Sequence, residues 1–383
     1  MAGPDFAAHN EEVRQVWEAF HAGRPTRVPC VYAFNTRYLL LTPELNPEGY
    51  TFQQYFEDPD LQWRLQLHRQ HWIRHNVVQD AEMGRPDQWG GLAPDLQNIY
   101  EAAWLGCRIE HREGNVVDTW PLLKENKRKL YDLSLPDPLR GNIMAQAMEF
   151  YEYFEDRRSR EDFCGRPVGH SEIGGGTDGP FTVACSLRGA TELCLDLYED
   201  PGYAHDLLDF VTGAAITRIQ AVAEFRGRSF PVKEWGFADD SIELLSPELY
   251  REFVLPYHRR LVETFSAGGP NSIHLCGHAQ HHFRTLQQEL NVQSFDTGFP
   301  TDLGRARREL GPGALLRGNL HPQLLVEGPV EAIVAETRRL LRCGVMEGGR
   351  YIFGEGSNVS PGTPPAHFRL CWETVRAEGR YPQ

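Results

Sequence analysis

The chain has 383 residues, with 39 Lys and Arg against 53 Asp and Glu and a formal net charge of −14. That balance argues against a nucleic-acid footprint, which needs clustered positive charge to displace counterions from phosphates. A hydrophobic fraction of 41% and an aromatic fraction of 11% supply a large core and exclude disorder as the main state.

Helical periodicity opens the chain at roughly 8–23, where Val13, Val16, Trp17 and Phe20 recur at three to four residues. Arg27-Val-Pro-Cys-Val-Tyr-Ala-Phe34 reads as a buried strand. A helical pattern from Thr51 to His75 is divided by Asp58-Pro59. Residues 80–140 are rich in Pro, Gly and Asp and read as hairpins and long loops. After a helix near 140–156 the rhythm becomes regular. Strands are expected at 167–173, 230–236, 271–276, 291–296, 314–318 and 350–354. Helices are expected at 187–198, 202–226, 246–267, 279–290, 301–310, 328–343 and 363–378. Short strands alternating with helices of ten or more residues are the signature of a parallel sheet. The number of units favours a closed (β/α)8 TIM barrel of the α/β class over an open sheet. The expected organisation is an N-terminal helical segment over 1–24 and one barrel over 25–380.

No stretch approaches the ~18 consecutive apolar residues of a membrane span, and Met1–Asn10 lacks the basic-then-apolar order of a signal peptide. Eight cysteines with no CxxC pair read as thiols of a reduced, cytoplasmic protein.

Barrel chemistry sits at the C-terminal ends of strands. Polar residues at those positions are Asn35 and Arg37, Glu172, Asp239 and Asp240, His274 to His278, Asp296, Asn319 with His321, and Glu355 to Asn358. The sharpest signal is Ser272-Ile-His-Leu-Cys-Gly-His278. His274 and Cys276 are two apart on a strand, so their side chains share a face. Imidazole and thiolate at one strand end are a donor pair that zinc selects. His278, Asp239, Asp240, Asp296 and Glu355 are available to complete the site; the alternative is that His274 and Cys276 are packing residues. Gly174 to Gly179 forms a glycine-rich loop without the Lys-Ser/Thr of a phosphate loop. It reads as a place where substrate approaches the backbone. Asp239-Asp240 are candidates for sharing a proton, with helix capping as the alternative for Asp240. Arg37, with Tyr38, is a candidate for holding an anionic tail bidentately.

These motifs add up to a family resemblance. Gly179-Pro-Phe-Thr-Val-Ala184, Leu187-Arg-Gly-Ala190, Leu245-Ser-Pro-Glu-Leu-Tyr-Arg-Glu-Phe-Val-Leu-Pro-Tyr257, His274-Leu-Cys-Gly277, Gly318-Asn-Leu-His-Pro-Gln-Leu-Leu325 and Tyr351-Ile-Phe-Gly-Glu-Gly356 with Pro361-Gly-Thr-Pro364 resemble, in order, the uroporphyrinogen decarboxylase superfamily. The resemblance covers about 165–378 and implies a (β/α)8 barrel. Its decarboxylases use no cofactor and bind substrate through an N-terminal arginine-rich loop. The similar segment here, Ala33-Phe-Asn-Thr-Arg-Tyr38, keeps Arg37 and Tyr38 but has Ala33 where the first arginine should stand. Asp80 is the counterpart of their catalytic aspartate, in poorly matching surroundings, and their late histidine is missing from Gly356-Ser357-Asn358.

The superfamily's other branch comprises zinc-dependent, corrinoid-linked methyltransferases and epoxyalkane–coenzyme M transferases. Its zinc signature is His-x-Cys with a second Cys far downstream. His274-Leu-Cys276 fits; the downstream position falls near Ser357, a poor ligand, with Glu355 or His278 as replacement.

The resemblance implies a zinc enzyme that transfers a methyl or alkyl group to a small thiol or similar acceptor. Zinc sits on His274 and Cys276 with Glu355 or His278; Asp239 and Asp240 are catalytic; Arg37, Tyr38, Asp296 and Asn319 bind substrate. Cobalamin enters only through a separate corrinoid protein, and a homodimer is a compatible assembly. A metal-assisted or cofactor-free decarboxylase or lyase acting on a carboxylate substrate is the second reading. A non-catalytic small-molecule-binding barrel is the third.

Overall fold

The computed structural model describes residues 6–382. Helix termini follow local chemistry. Helices Phe52–Glu57 and Pro59–Asn76 are parted by Asp58. Its carboxylate accepts from the N–H groups of Asp60 and Leu61, and Pro59 occupies a first-turn position whose N–H has no intrahelical use. Asp200 and Pro201 open Pro201–Phe225 in the same way. The helix expected at 246–267 is interrupted by a π turn at Tyr250–Val254 before Leu255–Phe265. Pro256 has no N–H to offer one turn back, and the Leu255 N–H reaches the Tyr250 carbonyl instead.

Strands β1 (Arg108–Glu110) and β2 (Asp118–Trp120) form an antiparallel hairpin within the 80–140 region. Strands β3 (Gly236–Ala238), β4 (Asn271–Leu275), β5 (Val292–Thr297), β6 (Leu315–Arg317) and β7 (Tyr351–Ile352) form a parallel sheet in sequence order. The pairing register sets two lateral rows. Ala238, His274, Asp296, Arg317 and Ile352 stand level in one; Phe237, Ile273, Phe295, Leu316 and Tyr351 stand level in the other. Alternation sends the rows to opposite faces. The second row is buried throughout, with Phe237 against His258 of the helix after β3 and Phe295 against Phe283 of the helix before β5. The first row keeps the polar groups together.

Beyond β7 the sheet continues through a parallel bridge between Cys30 and Phe353, and the Asp80 N–H then donates to the Cys30 carbonyl at 2.7 Å. Beyond β3, the Ala238 N–H donates to the Thr177 carbonyl, and Trp89 bridges Val168. The fold is a TIM-barrel-like α/β arrangement. The segments expected as strands at 27–34 and 167–173 are bridges rather than ladders, and the one expected at 230–236 shifts to β3 with a bridge at Val232. Pro29, Pro167 and Pro231 remove ladder donors. The N–H groups of Cys30 and Tyr32 are moreover taken by the side chains of Asp80 and Gln79.

Asp80, the counterpart of a catalytic aspartate by resemblance, has a structural task instead. Arg27 donates to its two oxygens at 2.6 and 2.7 Å, the Cys30 N–H at 2.7 Å and Trp372 Nε1 at 2.9 Å. It ties the first barrel segment to the last helix, Pro365–Glu378, and has no oxygen left for substrate. Among the described residues, no helix is long and apolar enough to cross a membrane.

Asp80→Ala leaves the buried Arg27 guanidinium with Glu12 as its remaining ion-pair partner and two further donors unpaired, and the expected cost is about 3–5 kcal/mol of stability. Urea unfolding of the variant beside wild type measures it.

Candidate metal centre at the barrel mouth

β4 presents His274 and, one step past its end, Cys276, while Asp296 stands level with His274 on β5. His274 Nδ1 is 2.8 Å from Asp296 Oδ2. That contact places a proton on Nδ1, and Nε2 faces Cys276 Sγ at 3.1 Å and Asp240 Oδ1 at 4.0 Å. Asp240 Oδ1 also accepts from the Cys276 N–H at 2.6 Å, which fixes the carboxylate beside the thiol. The ligand atoms of Asp240, His274 and Cys276 lie within 4.8 Å of one another. Ser357 Oγ sits 3.5 Å from Cys276 Sγ, the place the resemblance reserves for a second cysteine.

Electrostatics match this geometry. The hydrogen bond to Asp296, with that to Cys276, pushes the His274 imidazole up to about 11. Burial alone would raise Asp296, but its hydrogen bond to His274 holds it below the ordinary carboxylate range. Burial raises Asp240. A carboxylate behind a histidine is also how metal-ligating imidazoles are oriented and made more basic.

The other expected residues divide. Asp239, expected to be catalytic beside Asp240, is enclosed. Its oxygens accept from the N–H groups of Phe181 and Thr182, the Thr182 hydroxyl and His258 Nε2. It anchors the start of helix Pro180–Arg188 and holds no oxygen toward a ligand. Gly179 makes this approach possible: at φ +91°, a Cβ there would lie 2.2 Å from the Ala238 carbonyl and 2.4 Å from Asp239 Cβ.

Tyr38, expected at the substrate, is buried, and its hydroxyl donates to the Thr363 carbonyl at 2.7 Å. Asn319 is buried too, its amide donating to the carbonyls of Gly298 and Thr301. His278 lies outside the converging group. Gly277 turns the chain at φ +69°, with the site of its missing Cβ 1.9 Å from Glu243, and the His278 N–H donates to that carboxylate. Glu355 is also outside the group. It is buried, accepts from the Ala33 N–H through Oε1, and leaves Oε2 without a partner among the described residues. Burial raises its carboxyl to about 7.

Arg37 stays at the mouth. It lines a cavity of about 350 Å³ with Asn35, Asn98, Ile173, Gly174 and Gly176, so the glycine loop does border open space. A second cavity of about 340 Å³ shares Arg37 and Asn98 and is lined also by Asp178, Thr182, Ser186 and Asp240. Sequence reasoning missed Asp178, Glu101 and Arg218. The Asp178 N–H donates to Glu101 at 2.7 Å, and Glu101 pairs with the buried Arg218 at 3.0 Å. Asp178 is raised to about 7 by burial and by neighbouring Glu101. Its place inside the glycine loop was the available signal; Glu101 and Arg218 carried none, being single polar residues within apolar helical stretches.

The family model for uroporphyrinogen decarboxylase (URO-D) matches residues 100–378. The chain belongs to the uroporphyrinogen decarboxylase family. Among curated relatives, this URO-D-family chain is 33% identical over 207 residues to a uroporphyrinogen decarboxylase of Anaeromyxobacter dehalogenans, covering 52% of this chain and 57% of that one. It is 30% identical over 201 residues to a methylated-thiol–coenzyme M methyltransferase of Methanosarcina mazei, covering 51% of each. The alignments thus span little more than half the length of these relatives. A solved methyltransferase from Methanosarcina mazei superposes with a TM-score of 0.66 at 18% identity, over 95% of this chain and 98% of that one. That match speaks for the fold.

Glu355 supplies a pH test. A carboxyl raised in the fold binds its proton more tightly there than in the unfolded chain, so stability falls as pH rises from about 4.5 to about 7. In metal-free protein, Glu355→Gln is expected to remove about 2–3 kcal/mol of the loss between pH 5 and 8. Urea midpoints at the two pH values, with parallel curves for variant and wild type counting against it, decide the point.

Proposed function

We propose that this URO-D-family chain is a zinc-dependent methyl or alkyl transferase acting on a small thiol or similar acceptor. One observation carries the reading: His274 Nε2, Cys276 Sγ and the Asp240 carboxylate converge at the strand ends, with the imidazole held by Asp296. Imidazole, thiolate and carboxylate form a donor set that suits zinc and leaves a coordination position for a small ligand. Asp240, one of the strand-end residues available to complete the site, stands as third donor instead of Glu355 or His278. When bound, zinc lowers the pKa of an acceptor thiol and acts as a Lewis acid, harder with one protein thiolate than with two.

The chain's own residues do the rest. Asp296 holds the Nδ1 proton of His274, so Nε2 is the nitrogen that would give up its proton to a metal. Asp240, on the cavity wall, accepts the acceptor's proton at its carboxylate. Asp239 and Thr182 hold the backbone that aims Asp240. Arg37, at the junction of the two cavities, holds an anionic tail. The transferred group arrives on a methylcorrinoid carried by a separate protein, on a methylated small molecule, or as an epoxide. The free cysteines suit a reducing cytoplasm. The decarboxylase reading is the weaker one, because its expected aspartate, Asp80, is consumed by the Arg27 clamp.

Untagged wild-type protein is expected to carry about one zinc per chain, and Cys276→Ala to lose it; elemental mass spectrometry reads both. Asp296→Ala is expected to weaken zinc about 10–100-fold. Ser357→Cys, adding a thiolate 3.5 Å from Cys276, is expected to tighten it. Zinc-loaded protein is expected to methylate thiols from free methylcobalamin. Wild type that stays metal-free after incubation with zinc sinks the reading.

A further inference from the structure

We infer that the cavity beside the metal group is built for a zwitterionic aminothiol, with Arg37 receiving its carboxylate and Asp178 its ammonium. This rests on the thiol acceptor proposed above and names its class. The two residues line the same cavity of about 340 Å³, and Asp240 of the metal group lines it with them.

The argument is one of uncompensated charge. The Arg37 guanidinium donates to Gln97 Oε1 at 3.0 Å and Asn98 Oδ1 at 3.5 Å, both neutral acceptors, and makes no ion pair among the described residues. The backbone of Asp178 is pinned: its N–H donates to Glu101, and the next N–H, of Gly179, donates to the Thr177 hydroxyl. Its carboxylate has no hydrogen bond or ion pair among the described residues. The buried Arg218 attracts Asp178 from a distance but is wholly enclosed and makes its ion pair with Glu101. It also donates to the Gly176 carbonyl behind the loop. The other acids of the wall are accounted for: Asp240 belongs to the metal group, and Asp118 faces Arg112 at 3.5 Å.

One unpaired guanidinium and one unpaired carboxylate therefore remain in one small space. Partly buried charges without partners cost free energy, and a ligand bearing both opposite charges relieves both. An anionic thiol satisfies Arg37 but meets Asp178. A cationic thiol satisfies Asp178 but meets Arg37. Selection between them follows from repulsion as much as from attraction.

The test is isothermal calorimetry on zinc-loaded protein with L-homocysteine (both charges), 3-mercaptopropionate (anion) and cysteamine (cation). L-Homocysteine is expected to bind at least about tenfold tighter than either, the order of one good charge contact. Asp178→Asn is expected to erase its advantage over 3-mercaptopropionate, and Arg37→Gln its advantage over cysteamine. L-Methionine, which carries both charges without a thiol, is titrated into metal-free protein. Binding that depends on Asp178 and Arg37 supports the zwitterion site even if thiol transfer fails. Equal binding of 3-mercaptopropionate and L-homocysteine to wild type overturns the inference, whatever the variants do. So do variants that fold, by circular dichroism, and keep the wild-type ranking.

Discussion

The hydrogen bond between His274 and Asp296 exists because parallel strands β4 and β5 hold residues 274 and 296 level, on the same face, at 2.8 Å between side-chain atoms. The proposed chemistry depends on that register. With its proton kept on Nδ1, the imidazole offers Nε2 to the space shared with Cys276 and Asp240. A slip of one residue would turn His274 toward the helices and Ile273 toward the mouth. The apolar row formed by Phe237, Ile273, Phe295, Leu316 and Tyr351 opposes the slip, since it would turn the buried Ile273 and Leu275 of β4 to the polar face.

Adjacent carboxylates carry opposite tasks for the same reason. Asp239 and Asp240 follow β3 directly. One turns back to satisfy the first N–H groups of helix Pro180–Arg188, and the other points across to the Cys276 N–H. A helix N-terminus enclosed in protein needs acceptors for its free donors, and Asp239 meets that need through its contacts to the Phe181 and Thr182 N–H groups. The energy that orders this corner is therefore also what aims Asp240.

Membership of the URO-D family leaves the chemistry open, because a decarboxylase and a methyltransferase both stand among the relatives and one fold serves many reactions. The local departures are more telling. Asp80 is locked into a clamp between the first barrel segment and the last helix. Ser357 stands beside Cys276 where the resemblance puts a second thiolate, and the Asp240 carboxylate lies against the Cys276 N–H. Zinc at such a centre would keep more positive charge than with two thiolates, a difference that favours acceptors needing stronger polarisation.

Periodicity, prolines and caps made the helices and the parallel sheet legible, because those signals act over a few neighbouring residues. The same holds for His274 and Cys276: a spacing of two on a strand is enough to place both on one face. Arg37 at the mouth and the open space beside the glycine loop were legible as well. Irregular barrel segments were not, since side chains such as Gln79 and Asp80, distant in sequence, take the donors of Tyr32 and Cys30. Nor were the enclosure of Asp239, Tyr38 and Asn319 or the convergence of Asp240 on the thiol. Each depends on which partner, tens to hundreds of residues away, reaches a polar atom first. By itself the sequence determined the alternation of elements and the donor pair on β4, because both are matters of local geometry. Only the tertiary structure decided the third converging group and the charges left unpaired, because those follow from contacts between strands and loops far apart in the chain.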